Sequence, residues 1–78
     1  MNLIGPNIRE IRKRMDLSQK DLVAGCNLLG WDISRGTLAK IESQTRKISD
    51  GEVLYLSLAL KVEIGELFKK VLLEDLNH

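Results

Sequence analysis

Four times along the chain an apolar residue stands directly before a polar one and five positions before a second apolar residue. The pairs are Leu17 with Leu22, Ile33 with Leu38, Ile48 with Val53, and Val62 with Leu67. That spacing brackets a helix N-cap with a hydrophobic staple, and it predicts helix starts at Ser18, Ser34, Ser49 and Glu63. A serine hydroxyl at the first three starts can accept a first-turn backbone N–H, an interaction worth about 1 kcal/mol. Asp21 and Glu52 follow their serines by three residues, where negative charge suits the helix dipole and Glu52 can complete a capping box. An earlier helix is signalled by Ile4-Gly5-Pro6, since proline at the first helical position forfeits no hydrogen bond. Its Ile8, Ile11 and Met15 make one buried stripe and leave Arg9, Glu10, Lys13 and Arg14 toward solvent. The predicted helices cover 6–15, 18–29, 34–43, 49–60 and 63–76. No segment alternates with period two between turn signals, so the fold class is all-α and the Leu, Ile and Val stripes are core.

Length and composition narrow the picture. Seventy-eight residues with 44% hydrophobic and 29% charged side chains suit one globular domain spanning 1–78 with one core. No apolar run is long enough to cross a bilayer, and the first residues lack a signal-peptide layout, which favours a cytoplasmic protein with no membrane partner. One cysteine and one histidine supply neither a disulfide nor a zinc site, so Cys26 reads as a small buried hydrophobe, and no metal or cofactor is expected. An enzyme is not expected either: His78 is terminal, the thiol is solitary, and the carboxylates serve caps and exposed faces. Gly25, Gly30, Gly36 and Gly51 are isolated and form no phosphate loop. The net charge of +1 conceals a division. Residues 1–47 hold nine Lys or Arg against five Asp or Glu, and residues 48–78 hold three against six, so a basic half adjoins an acidic one. Such segregation points one end of the molecule at a polyanion.

Helices two and three are joined by a short segment containing Gly30, and helix three carries Ser34, Arg35, Gly36, Thr37 and Lys40 on its early turns. This is helix-turn-helix organisation. Residues near the start of such a second helix reach base edges in a major groove about 12 Å wide, with Arg35 and Lys40 the candidates. Five positions separate them, about 140° around the helix, so both face a groove only if the helix enters end-on or at a slant.

Leu17-Ser18-Gln19-Lys20-Asp21-Leu22 and Ile33-Ser34-Arg35-Gly36-Thr37-Leu38-Ala39-Lys40-Ile41-Glu42 resemble the Cro and phage-repressor helix-turn-helix family. Ile8-Arg9-Glu10-Ile11-Arg12 resembles its first helix, and Arg46-Lys47-Ile48-Ser49-Asp50 with Leu58-Ala59-Leu60-Lys61-Val62 its fourth-helix region. The resemblance implies a five-helix, lambda-repressor-like fold. It implies phosphate contact by Gln19 and a groove surface formed by Ser34, Arg35, Gly36, Thr37 and Lys40, with Ser34 at its phosphate-facing edge. Arg46 and Lys47 would grip the backbone, and Arg12 with Glu42 would form a structural ion pair between helices one and three. Gln19 and Glu42 stand farther apart than in the usual family pattern, which places an insertion between Gly25 and Asp32 and lengthens helix two by about a turn. Trp31, within the insertion, reads as a cap over the junction, with contact to DNA or a partner as the alternative. Gly36 has two readings, close approach to DNA or a neutral exposed position, and either leaves direct readout mainly to Arg35, with Thr37 and Lys40 assisting.

Arg9, Lys13, Arg14, Lys20, Arg46 and Lys47 taken singly are solvated surface, but as a set they suit a phosphate backbone. The expected function is a sequence-specific double-stranded DNA-binding regulator, a repressor acting on an operator. The alternative is a protein-interaction module of the same fold, such as the antitoxin of a toxin pair, with a protein partner. Val71, Leu72, Leu73 and Leu76 extend predicted helix five beyond what a small core needs. That strip suggests a homodimer, which would set two reading helices about 34 Å apart on a near-palindromic site.

Overall fold

The computed structural model describes residues 2–72, 75 and 76. Five helices follow in order: α1 Gly5–Arg14, α2 Gln19–Leu28, α3 Arg35–Glu42, α4 Asp50–Leu60 and α5 Ile64–Leu67. No strand occurs among the described residues. None of the described helices is long and apolar enough to cross a membrane.

The starts are set locally. Ser18, Ser34 and Ser49 adopt extended backbone, and their hydroxyls accept the N–H of Asp21, Thr37 and Glu52. Asp21 and Glu52 return bonds to the serine N–H groups at 2.9 and 3.0 Å, so both capping boxes close. At the other ends, Leu17, Trp31, Thr45 and Val62 each donate a backbone N–H to the carbonyl five residues back. The residue before each donor, namely Asp16, Gly30, Gln44 or Lys61, has positive φ. A left-handed residue followed by that long bond turns the chain out of the helix while satisfying its last carbonyls.

Stripes from every helix meet in one core of Ile4, Ile8, Ile11, Leu22, Cys26, Ile33, Leu38, Ile41, Leu56, Leu60 and Leu67, with Leu17, Ile48, Val53 and Val62 of the staples packed against it. Burial pushes the Cys26 thiol up to about 11, which keeps it protonated. Met15 departs from the expected stripe: it lies past the end of α1 and is exposed, and the buried position it would have followed is taken by Arg12.

Helix five departs most. Instead of spanning 63–76 it ends at Leu67 and is followed by a turn over 68–70 in which Lys70 has φ 66°. Glu63 makes no side-chain cap bond. The decisive partner comes from α1, where the Asn7 amide donates to the carbonyls of Leu67 and Lys69 at 2.9 and 2.7 Å. Carbonyls held by Asn7 are turned away from the helical ladder, and the positive φ at Lys70 carries the chain off the axis. The supposed apolar strip is therefore not one face of a helix. Val71 is half-buried, Leu72 and Leu76 are exposed outside any α-helix, and Leu73 lies outside the described residues. A four-residue α5 does not provide the long helix on which the expected homodimer was built.

The segment between α2 and α3 is ordered by its own bonds. Gly30, at φ 102°, donates to the Asn27 carbonyl, and Trp31 to that of Cys26. The Asn27 amide then reaches across the junction to the carbonyls of Trp31 and Ile33 at 2.8 and 3.2 Å. Trp31 stacks on Tyr55 of α4 with ring centroids 5.6 Å apart. An offset aromatic pair of this kind adds about 0.5–1.5 kcal/mol beyond its burial.

Candidate nucleic-acid interface

One side of α3 is spent on the core: Leu38, Ile41 and Glu42 point inward. At 100° per residue the opposite side carries Gly36, Lys40 and Ser43, flanked by Ala39, with Arg35 at the leading end. Gly36, Lys40, Ser43 and Arg35 are exposed, and Thr37 is half-buried. Among the described residues the Arg35 and Lys40 side chains enter no hydrogen bond or ion pair.

The position of α3 is fixed by a charged junction with α1 and α2. The Arg12 fork meets Glu42 twice, Nε to Oε2 at 2.7 Å and Nη2 to Oε1 at 3.0 Å, and its Nη1 donates to the Leu17 carbonyl at 2.8 Å. Both residues are buried. The Glu42 contacts raise the Arg12 pKa further above its already high value. Gln19, at the start of α2, donates one amide hydrogen to Glu42 Oε1 at 3.0 Å. Its second amide hydrogen remains. Glu42 thus orients Gln19 as well as anchoring Arg12, so three helices share one carboxylate.

Around this junction the surface is concave and continuous. One shallow depression is lined by Arg12, Ser18, Gln19, Lys20 and Arg35, and the next by Arg9, Gln19, Ala39, Glu42 and Ser43. Gln19 borders both. The surface therefore runs from Arg9 of α1 across the start of α2 to the outer face of α3. Ala39 and Ser43 are the members that sequence reasoning missed, although their spacing from Gly36, three and seven residues on, was a usable signal.

Other residues singled out from the sequence are differently employed. The Ser34 hydroxyl accepts from the Thr37 N–H and donates to Thr37 Oγ1 at 3.0 Å, which uses its hydrogen within the cap. The Thr37 hydroxyl keeps its own. Arg46 lies with both Nη groups against the Glu52 carboxylate at 3.0 Å, and Nη1 also donates to the Lys47 carbonyl. This pairing raises the Arg46 pKa, and it is the main reason Glu52 titrates below the ordinary carboxylate range. Lys47 is exposed. Gly36 has open space above it: an added Cβ would come no nearer than 3.9 Å, to Ser34 Oγ, so nothing inside the protein demands glycine there.

Asn2 was not anticipated. Buried beside the far end of α3, it donates to the carbonyls of Ile41 and Arg46 at 2.7 and 3.2 Å and accepts the N–H groups of Ile4 and Gly5. An asparagine just ahead of a helix start is a common local cap, and that was the legible part of the signal.

The arrangement is a stabilising helix, a tight junction and an outward helix whose Arg35 and Lys40 are exposed and, among the described residues, unpaired. No curated protein and no solved structure matches the chain. The helix-turn-helix family model does match, over residues 8–67, which include all five helices except the first three residues of α1. The chain belongs to the helix-turn-helix family of DNA-binding regulators typified by Cro and the phage repressors.

Proposed function

We propose that the protein is a sequence-specific repressor that lays α3 in the major groove of an operator. The observation that carries this reading is the state of Arg35 and Lys40, which are exposed and, among the described residues, unpaired on a helix whose other side is locked by Leu38, Ile41 and Glu42. An unpaired guanidinium at the leading end of a rigid helix suits bidentate recognition of guanine O6 and N7. Thr37, with its hydroxyl hydrogen unspent, and Lys40 assist at neighbouring positions. Gly36, Ala39 and Ser43 are small, and so allow the helix to seat deeply.

Phosphate contacts surround that helix. Gln19 offers its second amide hydrogen from an orientation fixed by Glu42, and Lys20, Arg9 and Lys47 add charge. Ser34 contributes by holding the first turn of α3 toward the backbone, and Arg46 joins through the part of its guanidinium that Glu52 leaves unused. Repression follows from occupancy: a domain seated across promoter DNA excludes polymerase without needing a further activity.

Selection of preferred duplexes from a random pool, followed by affinity measurements on the winner and on scrambled DNA, tests the reading. Arg35→Ala should cost about 1–3 kcal/mol on the selected site and relax preference at one base position, whereas Gln19→Ala should weaken all duplexes alike. Recovery of no preferred sequence, or equal losses from both variants on every duplex, would count against it.

A further inference from the structure

Given α3 in the major groove, on which this rests, we propose that Asn27 is the positioning residue for the leading end of that helix. Its amide fixes the direction in which the chain enters α3, and so sets how squarely Arg35 meets a base edge.

The route into α3 leaves one freedom open. After the last turn of α2, Gly30 and Trp31 donate backbone N–H groups to the Asn27 and Cys26 carbonyls, both at 3.0 Å, and these bonds close that helix. Ile33 then buries its side chain in the core, and Ser34 caps α3. A buried side chain pins a point on the chain, but the rigid peptide planes on either side of it can still turn about that point. Past the Trp31 N–H, the hydrogen bonds that join this segment to α2, among the described residues, all come from the Asn27 amide. It donates to the Trp31 carbonyl at 2.8 Å and to the Ile33 carbonyl at 3.2 Å. The Ile33 N–H closes the ring by donating to the Trp31 carbonyl at 2.9 Å. The Ile33 carbonyl belongs to the peptide that leads directly into Ser34, whose hydroxyl and extended backbone begin the first turn. Turning that peptide swings the first turn, and Arg35 with it, whereas the other end of α3 is held by Glu42 and Asn2. The Trp31 ring lies against Tyr55 of α4, so the segment is braced on two helices.

This task selects asparagine. Two carbonyls met at once from one short side chain need two N–H donors on a single nitrogen; serine and threonine have one donor, and glutamine carries its amide one bond farther out. Asn27 is exposed, and asparagine is a poorer helix former than alanine or leucine in the last turn of α2. Helix stability therefore does not account for it. Precision does: bidentate recognition of guanine needs a guanidinium held to about 0.5 Å, whereas a phosphate contact carries no sequence information to lose.

Equilibrium binding of the full chain to the selected duplex and to a scrambled one, well below the melting temperature, tests the assignment. Asn27→Ala should lower the ratio of the two affinities about threefold to tenfold, part of what a bidentate base contact is worth, with the scrambled-duplex affinity, its salt slope and the helical circular dichroism unchanged. In an Arg35→Ala background the same change should leave the ratio as it is, because Asn27 acts through Arg35. A residue that merely stabilised the fold would weaken both duplexes alike, with or without Arg35. Asn27→Ser, with one donor in place of two, should lower the ratio by less, and it decides alone if the alanine variant loses its helical signal. Equal losses on both duplexes, an undiminished ratio, or the same loss after Arg35→Ala overturns the proposal. Should Arg35→Ala itself leave the ratio unchanged, the placement of α3 falls first and the role of Asn27 with it.

Discussion

Gly36 and Gly5 show that the same residue type can serve opposite ends. At Gly36 a methyl group meets open space, so Gly36→Ala should stabilise α3 by about 1 kcal/mol through helix propensity. A gain of that size raises the melting temperature by about 4–8 °C in a domain this small. If α3 approaches DNA as closely as proposed, the same substitution should lower affinity for the selected duplex. Unchanged affinity in the stabilised protein would end the close-approach reading. At Gly5, by contrast, a Cβ collides with the Ile41 carbonyl oxygen of the backbone. Gly5→Ala should therefore destabilise by about 1–3 kcal/mol or more, because neither backbone can yield cheaply. Glu42 is the other sensitive point. Glu42→Ala should cost about 3–5 kcal/mol in denaturant unfolding, since it strands the buried Arg12 charge and removes the acceptor that holds Gln19. A loss below 1 kcal/mol would show that water reaches Arg12.

At the scale of elements, the capping boxes of α2 and α4 make stability depend on acid. Asp21 is held below its ordinary 3.8, chiefly by the Ser18 backbone N–H, and Glu52 below its ordinary 4.5, chiefly by Arg46 and then by burial-opposed bonds to Ser49. For a carboxylate lowered by folding, the stabilisation is complete above the unfolded value and disappears as pH falls through the folded one. Thermal unfolding between about pH 6 and about pH 3 should thus show a falling melting temperature, and Glu52→Gln should flatten the fall. An identical slope in the variant would assign the acid sensitivity elsewhere. Such caps also explain what the chain disclosed in advance. Ser18, Ser34 and Ser49 act within three residues of themselves, so α2, α3 and α4 could be read to within a residue or so. The end of α5 is set by Asn7, some sixty residues earlier in the chain, and no local pattern carries that information. The same divide runs through the site. Helical periodicity turns Lys40 outward and the first-turn position exposes Arg35, but the contacts that bring Arg46 to Glu52 and Gln19 to Glu42 arise only when separate segments meet. The left-handed ends were hidden for a related reason: Asp16, Gln44 and Lys61 stand where glycine would have announced a stop.

For the whole molecule, the exposed cations of the basic half set the expected response to salt. Arg9, Lys20, Arg35, Lys40 and Lys47 are exposed and, among the described residues, unpaired. If each meets a phosphate or the field beside one, the log-log dependence of binding on salt should have a slope of roughly −4 to −5. A slope near zero would mean that these cations merely solvate the protein. Arg46, paired with Glu52, should contribute less to that slope than Lys47, which single substitutions to alanine would reveal.

The clip made by Asn2 carries a practical corollary. Helix α3 is tethered at its far end from the start of the chain: Asn2 grips the Ile41 and Arg46 carbonyls, and Gln44 answers by donating to the Asn2 carbonyl at 3.0 Å. Trimming the first three residues, or crowding them with a fused tag, would loosen a helix forty positions downstream. If α3 reads DNA as proposed, recognition would then be blurred by an alteration that touches none of its outward side chains.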